Sequence, residues 1–339
     1  MPKPARIWTA PFIIFWLGAQ AQHTLPVYEK RCPIKTINYE QGLTDNSITG
    51  VITDAAGFTW VSTSSGIQRY NGYALQSVTP VIGRDTIRID YPVFFIKAKD
   101  NALLIGYRHG ILKYSTGSNS FEKLIGRPPY NGGPIHSLMP LKETAEGIWC
   151  FDETAGVVLY RKTGGNFGYP PTVINATIAN LIRPEEYFIT RKLTASNDNQ
   201  IFIRQSLNKV LEIDMNTHQS KRLDYADSLI TGLDCTNDKL FVSSAQAITV
   251  QTIATGVITR RFLVRWISDD PNVTRSSVEI STDGHLLVSE ERRLFEFDTS
   301  GRYLKEIISL NRDPLLNTGY IQIVYEDPFR RIWLLTNGD

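Results

Sequence analysis

Residues 47–70 read SITGVITDAAGFTWVSTSSGIQRY, and the pattern of this stretch decides the fold. An apolar run ends at Asp54, a turn follows through Gly57, and a second run is centred on Trp60. Ser64 and Ser65 make another turn, and a third run goes from Gly66 to Tyr70. Short runs rich in β-branched and aromatic residues, separated by Asp, Gly and Ser, specify a meander of strands. The unit recurs. A second copy runs from Val93 through Asp100, Leu104 and Gly110 to Tyr114, and a third from Ile135 through Gly147, Trp149 and Gly156 to Tyr160. Weaker copies centre on Phe202, Phe241 and Leu287, and the last begins at Ile321 and holds Asp327 and Trp333. The large apolar residue of each second strand serves as a ruler. Trp60, Leu104, Trp149, Phe202, Phe241, Leu287 and Trp333 follow one another at steps of 44, 45, 53, 39, 46 and 46 residues. A mean step of about 45 is the period of a four-stranded propeller blade.

Seven ruler positions predict an all-β, seven-bladed β-propeller. Fourth, outer strands are expected at Ala74–Val78, Phe121–Leu124, Lys221–Leu223, Val257–Phe262 and Tyr303–Ile307. Turns between first and second strands use Asp54–Gly57, Asn197–Asn199, Asn237 with Asp238, or Asp283 with Gly284, residue types that tolerate turn conformations. Gly66, Gly110 and Gly156 are expected to open third strands. No long window carries apolar residues at the three-and-four spacing of a capped helix. The ruler residues are expected to pack between blades, each worth roughly 1.5–3 kcal/mol. The seventh blade is expected to be incomplete, since the sequence ends six residues after Trp333. The segment Ile34–Tyr39 is expected to supply that blade's outer strand and seal the ring, and the chain is expected to be a fragment of a longer protein.

Residues 1–21 have the grammar of a secretory signal. Lys3 and Arg6 precede the apolar stretch Ile7–Leu17, and Ala19-Gln20-Ala21 supplies a cleavage pattern that would leave Gln22 first. The apolar stretch is short for a membrane span. Residues 22–339 are then expected to be one exported propeller domain. The sequence has 36 basic and 34 acidic residues, and removal of Lys3 and Arg6 leaves 34 of each. A neutral chain argues against nucleic acid as a partner. Cys32, Cys150 and Cys235 are far apart and form no CxxC, so neither zinc nor a disulfide framework is implied, and the thiols are expected to be buried.

The segment from Asn38 to Tyr73 contains Gly42-Leu43, Asn46-Ser47, Asp54 with Gly57 and Trp60, Thr63 with Gly66-Ile67, and Arg69-Tyr70 with Gly72. In these elements it closely resembles the opening blade of the two-component regulator propeller family. Asp327, Trp333, Thr336 and Gly338 match the pattern again. The middle copies depart from it, with Phe or Leu in place of Trp. The resemblance implies a periplasmic sensor ectodomain, with downstream sensor and kinase domains that are absent from this sequence and an inner-membrane anchor in the full-length protein. It also implies glycans as ligands and signalling through dimerised ectodomains, hence a homodimer.

Catalytic signatures are missing from the sequence. None of the five histidines is followed by Glu or Asp, as a phosphoacceptor box requires, and there is no Gly-x-Ser-x-Gly elbow or His-Glu-x-x-His. The sialidase Asp box is only half matched, since Gly57, Thr59 and Trp60 fit but Ala55 stands where its Asp belongs. The acid pairs Glu185-Glu186, Asp269-Asp270 and Glu290-Glu291 have general acid–base chemistry but read first as solvated loop charges. No enzyme, cofactor or metal is therefore expected. Loops leading from each outer strand to the next inner strand gather at one mouth of a propeller channel, where ligands prefer to bind. Those loops carry Asn46, Arg84, Arg88, Tyr91, Arg127, His136, Arg275 and Tyr320 as candidate ligand residues. Guanidinium groups and flat rings suit a glycan, above all an acidic one, or a related small molecule. Two other readings compete: a secreted glycan lyase or sialidase-like hydrolase, and a protein-interaction scaffold.

Overall fold

The computed structural model describes residues 34–89, 93–126, 138–168, 170–177, 194–226, 229–244, 247–263, 276–310 and 320–336. The chain falls into two units, Met1–Thr36 and Ile37–Asp339. Residues 34–36, the described part of the first, hold no regular element. Among the described residues the elements of the second are all strands apart from one short 3₁₀ turn, Tyr39–Gln41.

Among the described residues six antiparallel sheets of four or five strands follow one another, and a seventh has two strands. Their inner strands are Ile48–Thr53, Phe94–Lys97, Leu138–Glu143, Thr194–Ser196, Ile230–Cys235, Ser276–Ile280 and Ile321–Glu326. All seven border one central cavity. The ruler holds, since every ruler residue lies on a second strand. The first six are buried to 2% exposure or less and Trp333 is half-buried. Outer strands occur at the five expected places, running Leu75–Val78, Ser120–Gly126, Ser220–Asp224, Ile258–Leu263 and Tyr303–Ser309. The third sheet's outer strand, Thr172–Asn175, had no clear apolar signal in the sequence. It comes after a small hairpin arm that extends the third strand through Asn166–Phe167.

Third strands do begin at Gly66, Gly110 and Gly156, at φ 121°, 138° and 81°. At Gly110 a Cβ would lie 1.9 Å from the Ile125 carbonyl oxygen, so only glycine fits. The Asp-x-x-Gly-x-x-Trp element has a structural purpose. Asp54, fully buried, accepts the Ala56 and Phe58 amides at 3.0 and 3.1 Å on Oδ1 and the Trp60 indole N–H at 2.8 Å on Oδ2. One carboxylate thus closes the hairpin and fixes the indole. The indole then packs on the next sheet, with its centroid 4.5 Å from Tyr114 and 6.2 Å from Phe121.

Apolar clusters fill the spaces between consecutive sheets, and one of them closes the ring. Val51, Trp60 and Ile67 of the first sheet share a cluster with Ile323, Tyr325 and Leu335 of the seventh. Trp333 meets Tyr70 edge-on at 6.0 Å, repeating the Trp60–Tyr114 pairing one blade away. Tyr325 Oη accepts the Thr53 amide at 3.1 Å, and Thr53 Oγ1 donates to Asp327 Oδ2 at 3.1 Å. Arg331 Nη2 donates to the Gly57 carbonyl at 3.0 Å.

The expected sealing strand at Ile34–Tyr39 does not form, and the seventh sheet has no outer strand among the described residues. Tyr39–Gln41 is instead a 3₁₀ turn. Asn38 accepts the Glu40 amide at 2.8 Å, Gln41 reaches back to the Asn38 amide at 3.0 Å, and Gly42 ends the turn at φ 97°. This reciprocal cap satisfies the backbone locally and removes the motive for pairing as a strand. Closure comes from side chains instead.

Candidate functional site

The cavity at the ring axis has a volume of about 540 Å³ and reaches across all seven inner strands. The ring around it has two ends. At one end lie the segments leading into each inner strand and the turns between second and third strands. In the first sheet Ile48 pairs with Thr63, and Ser64 donates its amide to Ser47 O at 3.2 Å. Segments leading into later sheets rest on the preceding sheet's turn: the Ile230 amide donates to Leu207 O at 2.6 Å and that of Ile321 to Glu291 O at 2.5 Å.

Four candidate ligand residues have described positions at this loop-lined end. Asn46 is exposed just before the first inner strand, where its carbonyl accepts the Ile48 amide at 2.9 Å. Arg84 is exposed on the two-residue turn of a small hairpin, Val81–Ile82 with Asp85–Thr86. That hairpin was legible only as Gly83 between short apolar runs. Arg88 is exposed two residues beyond it, and Tyr320 is half-buried before the seventh inner strand. None of the four borders the central cavity. Tyr91, Arg127, His136 and Arg275 lie outside the described residues.

Glu290 lies at the same end, at the close of the sixth sheet's second strand. Burial, reinforced by Glu291 and opposed by Arg293, pushes its carboxyl up to about 7. Its Oε2 is buried without a hydrogen-bond partner among the described residues. The other acid pairs, Glu185-Glu186 and Asp269-Asp270, lie outside the described residues. Asp45, by contrast, is held below the usual carboxylate range by the Ser64 hydroxyl and the Ser47 amide.

At the opposite mouth lie the turns between first and second strands, and here the cavity wall carries charge that sequence reading missed. Lys97 and Lys142 come from the second and third sheets, and Asp234, Glu279 and Glu326 from the fifth, sixth and seventh. Each sits on the last or next-to-last residue of its inner strand. Counting back seven residues from each ruler residue finds four of the five, Glu279 standing eight before Leu287. Two of the carboxylates are fixed by the neighbouring sheet. Asp234 Oδ2 accepts the Ile280 amide at 2.6 Å, and Glu326 Oε2 accepts the Thr282 amide and hydroxyl at 2.5 and 3.0 Å. Among the described residues no group of His, Cys, Asp and Glu is arranged to hold a metal. Cys150 is buried and Cys235 half-buried, the latter with its thiol pushed up by burial.

No family model matches the chain, and no curated protein matches it. Solved structures do. The extracellular domain assigned to the hybrid two-component system BT3049 of B. thetaiotaomicron is 14% identical, with a TM-score of 0.58 over 90% of this chain and 40% of that one. That of BT4673 from the same organism, called a one-component system, is 17% identical with a TM-score of 0.57 over 89% and 39%. A second structure of BT4673 names it a hybrid two-component system. A chain of the mitotic checkpoint complex is 11% identical, with a TM-score of 0.59 over 96% of both chains. At these identities the likeness establishes the fold: the chain is a β-propeller. The ectodomains it resembles are of the kind that the blade-one motif resembles, and the chain spans about two fifths of their length.

Proposed function

We propose that this chain is the sensing part of an exported two-component ectodomain that takes a glycan or related small molecule at its loop-lined mouth and performs no chemistry itself. The observation that carries the reading is the fold likeness to two-component ectodomains over about 90% of the chain, joined to the blade-one motif. The fold alone cannot carry it, because a mitotic checkpoint structure shares the ring. The Arg, Asn and Tyr residues of the mouth supply directional donors and ring faces of the kind sugars need. Asp54 and Asp327, the acids of the repeated motif, are committed to indole and backbone donors, which leaves them no catalytic role. On this reading a ligand acts by favouring one mutual arrangement of two ectodomains, and kinase and anchor lie downstream.

Thermal-shift titration against neutral and acidic oligosaccharides tests the reading. An acidic glycan should raise Tm, and Arg84→Ala with Arg88→Ala should reduce the shift. No shift with any glycan would overturn the ligand class. A propeller hydrolase is the second reading, favoured by one observation: Glu290 has the raised carboxyl of a general acid. Release of reducing ends by the purified chain, lost in Glu290→Gln, would establish it.

A further inference from the structure

The second sheet carries cations that its own acids do not answer. Between Asn101 and Lys142 the sequence has Arg108, Lys113, Lys123, Arg127 and Lys142, and its one acid is Glu122. Lys113 pairs with Asp100 and is also held by Glu122, and Lys142 pairs with Asp198, both pairs lying toward the turn-lined end. Arg108 is at the other end, half-buried on the turn between the second strand, Leu103–Tyr107, and the third, Gly110–Ser115. Its Nε is buried without a hydrogen-bond partner, whereas Nη1 and Nη2 are not buried. Lys123 comes from the outer strand, Ser120–Gly126, and its Nζ is 3.0 Å from where a Cβ on Gly126 would stand. Gly126 pairs with Gly110, so this ammonium reaches the strand ends beside the Arg108 turn. Among the described residues neither Arg108 nor Lys123 has an ion pair. We propose that Arg108, with Lys123 beside it, receives a carboxylate of the ligand at the loop-lined mouth. The proposal rests on the reading that a ligand enters at that mouth, and not on the ligand being a sugar.

A buried polar atom without a partner is an exception in a folded protein, and it costs stability. A merely solvated arginine avoids that cost by keeping all three nitrogens wet. Arg108 is sunk on its Nε edge and open on its Nη edge, so only an anion arriving from solvent can pair with it. The two Nη groups form a planar fork that matches the two oxygens of a carboxylate, and partial desolvation strengthens such a charge-assisted pair. Lys123 contributes a point charge with rotatable donors, and does not compete for that bidentate geometry. Two cations near one another with no carboxylate between them also repel, and a bound anion relieves the repulsion. Arg84 adds to the field, because its hairpin strand Val81–Ile82 packs on the same outer strand, Ser120–Gly126, and among the described residues it too has no ion pair. Position in a loop pointed to Arg84, but only the burial of one nitrogen singles out Arg108.

Isothermal titration of the full chain with tetragalacturonate, with its methyl ester and with glutarate tests this. The acid should bind about tenfold more tightly than the ester, which has the same sugars without the charge. Arg108→Gln should weaken the acid to the level of the ester, Arg108→Lys should restore part of the preference, and Lys123→Gln should reduce it. Tm in Arg108→Gln should be unchanged or higher, because the native Nε has no partner to lose, and that readout separates recognition from a structural role. Equal binding of acid and ester, a preference that survives Arg108→Gln, or a fall in Tm in that variant would overturn the proposal. Glutarate binding that needs Arg108, with no binding of either sugar, would support the carboxylate site and overturn the glycan reading. Ester binding with no response to either acid would do the reverse.

Discussion

Replacing Asp327 by Ala tests whether side chains alone close the ring. Its carboxylate accepts the Phe329 amide at 2.9 Å, the Arg331 amide at 3.0 Å and guanidinium at 2.6 Å, the Trp333 indole at 3.1 Å and the Thr53 hydroxyl at 3.1 Å. Four of these contacts hold the seventh hairpin, and the fifth crosses to the first sheet. Removing one partner of a buried charged network costs about 3–5 kcal/mol, because the other donors stay buried and unpaired. Several donors here keep access to water, so the expected loss is about 3–4 kcal/mol. At roughly 2–4 °C per kcal/mol, Tm should fall by about ten degrees. The crossing bond is isolated by a double-mutant cycle with Thr53→Val, where a coupling of about 1 kcal/mol is expected. The effect also has a pH signature. Burial opposes ionisation of Asp327, but the Arg331 amide, the Trp333 indole and the Arg331 guanidinium outweigh it and hold the carboxyl below its ordinary value. The stability it confers is therefore present above pH about 4 and lost as pH falls through the folded value. Urea titrations at pH 7 and below pH 4 should show the gap between wild type and D327A closing in acid. Additive losses in the cycle would refute closure through this contact, and a gap that is constant with pH would refute the ionised network.

Three further outcomes follow from the geometry. Between pH about 4.5 and about 7 the Glu290 carboxyl takes up protons in the fold that the unfolded chain has lost, so its contribution to stability declines as pH rises through that window. E290Q should be more stable by about 1–2 kcal/mol at pH 8, a figure discounted for partial exposure, with no gain at pH 4; equal pH slopes of Tm would contradict this. Gly106→Ala would place a Cβ 2.2 Å from the Leu138 carbonyl of the next sheet, so the two sheets must part, and a loss of about 2 kcal/mol or more in urea is expected. Cys235, with its thiol pushed up by burial and by Asp234, should react with a disulfide reagent at pH 8 only after denaturant is added.

The ring was legible because the physics that makes it is periodic. Each blade buries one large residue of its second strand against the next blade, so Trp60, Leu104, Trp149, Phe202, Phe241, Leu287 and Trp333 had to recur with the blade. Glycines at 66, 110 and 156 marked third strands because a positive φ repeats there, with a backbone clash added at Gly110 and Gly156. The N-terminal segment misled because β-branched residues at Ile34, Thr36 and Ile37 suggest a strand, while Asn38, Gln41 and Gly42 encode a capped turn. Apolar alternation reports what a segment can bury, and here reciprocal capping decided what it became. The candidate ligand residues were chosen by loop position, which fixed the end of the ring on which Asn46, Arg84, Arg88 and Tyr320 stand but not their reach into its axis.

The charges at the turn-lined end were unreadable for a different reason. Lys97 and Glu326 look like ordinary polar residues closing a strand, because each is judged against its sequence neighbours. Their significance is angular. Blade number sets where around the axis an inner strand stands, so a charge near the end of an inner strand becomes a position on a circle. Lys97 and Lys142 in blades two and three and Asp234, Glu279 and Glu326 in blades five to seven stand at one end of the ring, although along the chain they are about 230 positions apart at the extremes. The charges themselves have structural uses between sheets. Asp234 accepts the Ile280 amide, Glu326 accepts the Thr282 amide and hydroxyl and pairs with Arg330, and Lys142 pairs with Asp198. Together with the Trp–Tyr pairs and the Asp327 network they tie neighbouring sheets at the turn-lined end, so what looks along the chain like a scatter of polar strand ends is, around the axis, a set of ties between blades.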